Sequence, residues 1–210
     1  MDANLNTLLK WSVENSSAST EPGAPPPSSD LNPEILAALM GGPSDAELML
    51  QSMSAIQSPD ISLENKLVAF DNFEQLVEGI DNANNLEQLK LWEPLVGQLA
   101  NEEEDIRKMA CWCVGTAVQN NEKAQQKLFS HSALPTLVNL SLSEPNEAVR
   151  RKAIYALSSA IRNFQPGADA AVKALPSEIA PERVDASNMN EVDAIIEKLR
   201  EKSRNQAQSS

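Results

Sequence analysis

The chain has 210 residues, of which 30 are acidic and 17 are basic, so its formal net charge is −13 at pH 7. Nucleic-acid affinity rests largely on Lys and Arg, and this charge balance therefore argues against nucleic acid as the partner. With 4% aromatic residues and 7 glycines, the composition favours an all-α protein with one folded domain plus tails.

The N-terminus offers Leu8-Leu9 before Lys10, which is too short for the apolar core of a secretory signal. No stretch approaches the roughly 20 apolar residues of a membrane span. We therefore expect a cytoplasmic protein without membrane association. Cys111 and Cys113 stand two residues apart on a predicted helix, so they do not face each other and are expected to be small buried hydrophobic side chains. With one histidine in the chain, neither a zinc site nor any other metal or cofactor site is expected.

Residues 1–32 are predicted to form a flexible N-terminal segment and linker. Apolar side chains recur at helical spacing near its start, beside Trp11, and a run rich in Ser, Ala and Pro follows from Ser16 to Pro33. That composition buries too little apolar surface to offset the entropy of ordering. Residues 33–60 are predicted to hold two helices that lead into the repeats. The first has Pro33 at its first position, and the second runs from Asp45 to about Gln57 after a capping box.

Residues 61–165 are predicted to form armadillo-like repeats. One apolar stripe recurs 43 residues later on a second helix: Ile106, Ala110, Cys113 and Ala117, and then Val149, Ala153, Ala156 and Ala160. A helical period of roughly 40–47 residues is typical of armadillo or HEAT units, which stack to cover their apolar faces. The fold class is therefore an all-α, armadillo-like helical repeat solenoid.

An earlier repeat unit is also recognisable, although its sequence matches the later units less closely. A long helix is predicted from Ser62 to about Ile80, followed by a turn at Asp81–Asn85 and a helix over Leu86–Leu99 interrupted at Pro94. In this alignment Trp92 corresponds to Ala133 of the next unit, which continues with a helix over Leu134–Leu142.

The helical repeat pattern is no longer recognisable after Phe164. Residues 166–205 are predicted to form an irregular segment, with Pro166, Pro176 and Pro181, and then a capping helix from about Asn190 to Lys202. One face of that helix carries Val192, Ile195, Ile196 and Leu199. Residues 206–210 are expected to be frayed.

No set of residues in the sequence suggests catalysis. A lone histidine, His131, falls at a predicted break between helices, where a surface or capping role is expected. The run Glu102–Asp105 is interpreted as a helix start, because carboxylates favour the positive end of the helix dipole. Trp112 and Tyr155 occupy matching repeat positions, which favours packing roles for both. The chain is therefore predicted not to be an enzyme.

A helical solenoid without a catalytic set is most often a binding surface. Its lining is expected to come from the loop 81–85 and from polar residues of the third helix in each unit: Asn72, Gln75, Arg107, Gln119, Asn120, Arg162 and Asn163. The alternative for each is a solvated face or a helix end, since Asn tolerates the left-handed conformation. Nuclear-import receptors of the armadillo class line their groove with a Trp and an Asn that stand one turn apart on the same helix. Here Trp112 is followed by Thr116 and Tyr155 by Ser159, so recognition of import cargo is disfavoured.

Several segments closely resemble the Fes-type nucleotide exchange factors of 70-kDa heat-shock chaperones. They are the stretch from Lys66 to Leu99, which contains DNANN at 81–85, then GTAVQNN at 115–121, KAIYALSSAIRN at 152–163 and LLKWSVENS at 8–16. The resemblance implies a fungal cytosolic co-chaperone with an armadillo core. Such a protein grips the ATPase domain of the chaperone and accelerates ADP release during protein folding, with a link to translation regulation.

The resemblance also implies site residues. The interface residues are Asn82, Ala83, Asn84 and Asn85, followed by Asn120, Asn121, Arg162 and Asn163. A client-release segment is implied at Leu8, Leu9, Trp11 and Val13. Substituting Ala83 by Arg is expected to abolish accelerated exchange without loss of helix. The free protein is expected to be a monomer, and the alternative function is an armadillo-type adaptor without exchange activity.

Overall fold

The structure is a computed structural model that describes residues 42–208. The chain divides into two units, residues 1–44 and 45–210, and the described residues fall almost entirely in the second unit. The predicted linker, the helix opening at Pro33 and the segment containing Leu8, Leu9, Trp11 and Val13 lie outside the described residues. Residues 42–208 contain helices and turns and no strand.

The described part of the chain forms ten α-helices and one short 3₁₀ helix. They are α1 (Asp45–Gln57), α2 (Leu63–Val77), α3 (Ile80–Asn85), α4 (Trp92–Gly97, followed by the 3₁₀ turn Gln98–Ala100), α5 (Glu104–Val118), α6 (Glu122–Ser130), α7 (Leu134–Ser143), α8 (Glu147–Ile161), α9 (Gln165–Ala174) and α10 (Met189–Gln208). The bounds of α1 agree with the predicted helix.

The four long helices α2, α5, α8 and α10 recur at a near-constant interval. They begin at residues 63, 104, 147 and 189, which are 41, 43 and 42 residues apart, and each packs on the next. The two predicted apolar stripes on α5 and α8 are buried. A third buried stripe follows on α10 after a further 43 residues: Val192, Ile196, Leu199 and Ser203. The helix predicted as a cap therefore continues the row of long helices.

Small side chains allow α5 and α8 to pack closely. A Cβ atom added at Gly115 would lie 2.5 Å from Tyr155 Cε1 and 3.0 Å from Ala156 Cα. Ala110 and Ala153, which belong to the predicted stripes, have no exposed surface. The prediction of closely spaced helices is confirmed.

Residues in the left-handed conformation end the long helices at equivalent places. Asn120 (φ 53°) follows α5 and Asn163 (φ 56°) follows α8, and each stands 43 residues from its counterpart. Lys90 (φ 56°) and Ser132 (φ 55°) mark a second pair of equivalent turns, before α4 and α7. This pair places Trp92 opposite Leu134, so the predicted correspondence of Trp92 with Ala133 is wrong by one residue.

The first repeat departs from prediction between residues 78 and 91. The long helix α2 ends at Val77, because Gly79 is extended (φ −70°, ψ 122°), and Asp81–Asn85 belongs to a short helix, α3, instead of a turn. Residues 86–90 form the turn, and α4 begins only at Trp92. Pro94 lies in the first turn of α4, where the missing N–H costs no helical hydrogen bond.

The C-terminal part is more regular than predicted. Residues Gln165–Ala174 form a helix, α9, with Pro166 in its first turn, where the prolines predict an irregular segment. The last helix extends to Gln208, and the Gln206 side chain donates a hydrogen bond of 2.9 Å to the Leu142 carbonyl. Residues 206–208 are therefore not a frayed tail. The four apolar residues predicted on one face of this helix are all buried.

Candidate partner-binding surfaces

The predicted interface residues follow the ends of three parallel helices. Contacts between neighbouring long helices join residues about one repeat apart: the Thr116 hydroxyl donates to Glu74 Oε1 over 2.6 Å, and Gly115 faces Tyr155. Helices in matching register end at the same edge of the repeat domain. The clusters 82–85, 120–121 and 162–163 follow α2, α5 and α8 and therefore share this edge, which we call the helix-end edge.

The first cluster is largely engaged in the fold. Asn82 Nδ2 donates to Asp45 Oδ2 (2.8 Å) and to the Leu76 carbonyl (3.0 Å), which ties α1 to the end of α2. Ala83 is 2% exposed and belongs to the core. Asn84 and Asn85 are half-buried, and Asn84 Oδ1 is buried without a hydrogen-bond partner within residues 42–208. Ile80, which the sequence analysis did not select, is 63% exposed at the start of α3.

The second and third clusters combine exposed and structural side chains. Asn120 and Asn163 are exposed and also end their helices, as the solvated-face and helix-end alternatives predict, while their binding role stays a prediction. Asn121 is buried and caps α6, with its Oδ1 accepting from the Ala124 N–H (3.3 Å). Arg162 is half-buried and forms an ion pair with Asp193 on α10.

A second surface, absent from the sequence predictions, lies across α5, α8 and α10. Two adjoining pockets of about 530 and 450 Å³ share Arg151 and Tyr155 in their walls. Five basic side chains line the pair: Lys108, Arg151, Lys152, Arg200 and Arg204. We call this surface, with Trp112 and Tyr155, the basic groove. Sequence reasoning missed it because its walls come from helices that are distant in the chain.

The charges in the basic groove are paired to different extents. The Lys152 ammonium lies 3.4 Å from the centroid of the Trp112 ring, and burial lowers the pKa of this lysine. The Arg151 side chain is exposed and makes no hydrogen bond or ion pair within residues 42–208. Arg200 and Arg204 both reach Glu197, at 3.5 and 2.8 Å.

The two ring side chains of the groove are half-buried. Trp112 packs against the core, and the Tyr155 hydroxyl donates to Gln119 Oε1 over 2.9 Å. The predicted packing role therefore accounts for one side of each ring, while the other side remains on the groove wall.

Residues that could carry chemistry have structural roles. His131 ends α6, stacks on Trp92 with ring centroids 6.4 Å apart, and places Nε2 3.4 Å from Glu87 Oε2, which confirms the predicted capping role. Glu104 and Asp105 stand in the first turn of α5, as predicted. Both cysteines are buried, and desolvation raises the pKa of Cys111 to about 12. Within residues 42–208, no group of acidic, Cys and His side chains has a metal-binding arrangement, and no helix could cross a membrane.

The row of stacked helices with two exposed surfaces defines a helical-repeat protein of the armadillo class. An engineered protein aligns over 83% of this chain and 76% of its own, with a TM-score of 0.56 and 16% identity. A designed armadillo repeat protein, solved in complex with the peptide (KR)4, aligns over 76% and 70%, with a TM-score of 0.53 and 22% identity. These likenesses confirm the predicted fold class.

The family follows from sequence comparison. Residues 5–86 match the family described as "Nucleotide exchange factor Fes1", and residues 82–174 match the "SIL1/FES1/HPBP1 C-terminal domain". The chain belongs to the Fes1 family of nucleotide exchange factors, as the resemblance predicts.

The relatives named "Hsp70 nucleotide exchange factor FES1" include proteins from the following three fungi. The protein from Gibberella zeae is 54% identical over 96% of this chain and 97% of its own length. The protein from Coccidioides immitis is 49% identical over 96% and 99%. The Saccharomyces cerevisiae protein is 44% identical over 77% of this chain and 57% of its own length, so this chain matches little more than half of the yeast relative.

Proposed function

We propose that the protein binds the ATPase domain of a cytosolic 70-kDa heat-shock chaperone, accelerates ADP release and thereby promotes release of the client polypeptide. The observation that carries this proposal is the 54% identity, over nearly the full length of both chains, to a relative named as an Hsp70 nucleotide exchange factor. The cytoplasm as location and a monomeric free state belong to the same proposal, as does the link to translation regulation.

The proposed mechanism is differential binding, without chemistry on the protein's own residues. A partner that binds the open nucleotide cleft more tightly than the closed cleft shifts the chaperone toward the open state. To weaken ADP binding a thousandfold, the protein's binding free energies for the open and the closed cleft must differ by about 4 kcal/mol. Linkage then requires that ADP weaken the protein's own binding by the same factor.

The proposed contact with the chaperone is the helix-end edge. Asn85, Asn120 and Asn163 supply amide groups there, and Ile80 adds an exposed apolar side chain of the kind that anchors interfaces. The other predicted interface residues, Asn82, Ala83, Asn84, Asn121 and Arg162, support this edge from within the fold. The client-release role of Leu8, Leu9, Trp11 and Val13 stays a prediction, because these residues lie outside the described part of the chain.

The test is a stopped-flow measurement of fluorescent ADP leaving a cytosolic chaperone, with and without the protein. Acceleration is expected for the natural sequence, and its absence would contradict the proposal and favour the adaptor alternative. The substitution Ala83→Arg is a poor probe of the edge, because Ala83 is buried and the variant would disturb the core.

A cleaner probe of the edge is Ile80→Asp. This substitution places a charge at a 63% exposed position and is expected to lower the acceleration at least about tenfold. Val68→Asp is the matched control, because Val68 is 56% exposed and stands more than two helical turns earlier on the α2 side of the edge. It should retain the acceleration within about twofold. Equal losses in the two variants would contradict the assignment of the edge.

A further inference from the structure

A buried glutamine of α6 donates hydrogen bonds to the end of α8. Gln125 is 4% exposed, and its Nε2 donates to the Ser159 carbonyl over 2.8 Å and to the Arg162 carbonyl over 2.9 Å. In an uninterrupted helix the Ser159 carbonyl would accept from the N–H of Asn163, but that N–H donates instead to the Ala186 carbonyl (2.9 Å). Gln125 therefore binds carbonyls at a helix end, where the helix itself supplies no further donors.

A second glutamine supports the same turn from α9. Asn163 is in the left-handed conformation (φ 56°), which is uncommon for residues other than glycine. The Ala186 N–H donates to Gln165 Oε1 (3.0 Å), and Gln165 Nε2 donates to the Val184 carbonyl (2.8 Å). The peptide unit that joins Arg162 to Asn163 therefore has its carbonyl bound by Gln125 and its N–H bound by a segment that Gln165 anchors.

The first repeat contains a similar hydrogen bond 43 residues earlier. Asn82 on α3 stands at the position equivalent to Gln125, and its Nδ2 donates to the Leu76 carbonyl near the end of α2 (3.0 Å). An amide side chain of a short helix thus binds the end of a long helix at two places on the helix-end edge. At the end of α8, one of the bound carbonyls belongs to the same peptide unit as the N–H of Asn163.

This arrangement holds an exposed side chain on a fixed backbone. Asn163 is exposed to solvent, whereas the peptide unit before it is hydrogen-bonded at both its carbonyl and its N–H. A group that is ordered before a partner arrives loses less conformational freedom on binding. The amide of Asn163 is therefore arranged in advance for contact with a partner.

We propose that Gln125 is a positioning residue for the chaperone contact and that it acts by fixing the peptide unit that carries Asn163. This inference rests on the proposed function, in which Asn163 belongs to the contact at the helix-end edge. Gln125 is itself buried and does not touch the chaperone. Removal of its two hydrogen bonds weakens the complex through the displacement of Asn163.

The test is the stopped-flow release of fluorescent ADP from the chaperone, measured over a range of concentrations of the full chain. Gln125→Leu keeps a buried side chain of similar size without the two donors. It is expected to raise the concentration that gives half-maximal acceleration at least about fivefold. Gln126→Leu is the matched control, because Gln126 is exposed and donates within α6 to Glu122 Oε1 (3.1 Å). It should shift that concentration less than about twofold. An unchanged value in Gln125→Leu would overturn the positioning role.

A double-mutant cycle with Asn163→Gly separates positioning from a general loss of stability. Glycine removes the side-chain amide and accepts the left-handed conformation, so the contact is deleted without backbone strain. In this background Gln125→Leu is expected to add a shift of less than about twofold, because the residue through which it acts is absent. Equal shifts with and without the Asn163 side chain would assign Gln125 to fold stability alone and overturn the proposal.

Gln165→Leu tests the same peptide unit from α9 and applies even if the Gln125→Leu protein does not fold. Gln165 is exposed, and its loss releases the hydrogen bonds to Val184 and Ala186. This variant is expected to raise the half-maximal concentration at least about threefold, and by less than about twofold when combined with Asn163→Gly. An equal shift in both backgrounds would contradict the positioning role. If the natural sequence does not accelerate ADP release, the proposed function is contradicted and the positioning role falls with it.

Discussion

At the residue scale, the absence of one side chain sets the distance between two helices. Gly115 lies in the last turn of α5, and its Cα faces the Tyr155 ring and the Ala156 backbone of α8. A glycine inside a helix normally costs stability relative to alanine. Here the close approach of α8 accounts for it, because the nearest atoms include backbone that a side-chain rotation cannot remove.

We predict that Gly115→Ala lowers the free energy of unfolding by about 1–3 kcal/mol, since the new methyl overlaps Tyr155 and Ala156. The thermal midpoint, followed by circular dichroism, should fall by roughly 3–10 °C. Gly97→Ala is the control, because no atom lies within 4 Å of a Cβ placed there and the backbone is helical. It should be neutral or stabilising. A Gly115→Ala protein as stable as the natural sequence would contradict the packing described here.

The two cysteines give a second prediction at this scale. Desolvation raises the pKa of Cys111 to about 12 and that of Cys113 well above its ordinary value. Because the thiolate is the reactive form, and its fraction falls tenfold for each pH unit below the pKa, both thiols should stay unreactive near pH 8 in the folded protein. An aromatic disulfide reagent should release its coloured thiolate only after denaturant is added. Rapid release of one equivalent from the folded protein would be inconsistent with their burial.

At the element scale, equivalent arginines bind the long helices α5 and α8 to the turns before them. Arg107 Nη1 donates to the carbonyls of Asn101 and Glu102, both at 2.8 Å. Arg150, 43 residues later, donates in the same way to Glu144 (2.8 Å) and Pro145 (2.7 Å).

Each of these arginines also reaches toward the next repeat. The guanidinium of Arg107 binds the Glu144 carboxylate at 2.9 and 2.8 Å. The guanidinium of Arg150 donates to the hydroxyl and carbonyl oxygens of Ser203, both at 2.9 Å. Arg107 therefore has a structural role, and its place in the lining of a binding surface stays a prediction.

We predict that Arg150→Met loosens α10, because the substitution leaves the Glu144, Pro145 and Ser203 oxygens without their buried donor. Each buried group that loses its partner costs about 1–3 kcal/mol, so the free energy of unfolding should fall by about 3 kcal/mol. Hydrogen exchange should quicken across Met189–Gln208 before other helices. Arg151→Met, at the exposed neighbouring position, should change stability by less than about 0.5 kcal/mol. Unchanged exchange in α10 would contradict this role for Arg150.

The sequence predicts the elements that depend on local signals. The capping-box signature predicts a helix that begins at Asp45, where α1 begins, and the apolar stripes of α5 and α8 repeat with matching residue types. The third stripe was missed because α10 carries Ile196 and Leu199 where the earlier helices carry Ala and Cys, and because three prolines precede it. The helix α10 belongs to the row of long helices because it packs against α8, and this contact cannot be read from a local sequence pattern.

The two candidate surfaces also differ in how far the sequence predicts them. The residues of the helix-end edge come from the family resemblance, and their positions after the predicted long helices can be read from the sequence. The burial of Ala83 is not foreseen, because an alanine within a polar run does not reveal which side of a short helix it occupies. The basic groove requires knowledge of the contact between α8 and α10, whose arginines are about 50 residues from Arg151 in the chain.

At the scale of the whole molecule, the proposed exchange activity rests on a repeat domain that holds its shape while the chaperone changes conformation. The long helix α2 is joined to α5 by the hydrogen bond between Thr116 and Glu74, and α5 packs closely on α8 at Gly115. Arg107 and Arg150 add hydrogen bonds to the following repeat. A rigid surface can complement one conformation of a partner and exclude another, which is the source of the differential affinity that exchange requires.

The most direct test of that claim is a calorimetric titration of the chaperone ATPase domain with this protein, first nucleotide-free and then with saturating ADP. Linkage predicts that ADP lowers the affinity of the complex by the same factor by which this protein lowers the affinity of the chaperone for ADP. For a coupling free energy of about 4 kcal/mol, that factor is about a thousandfold. An affinity that is the same with and without ADP would contradict the proposed mechanism.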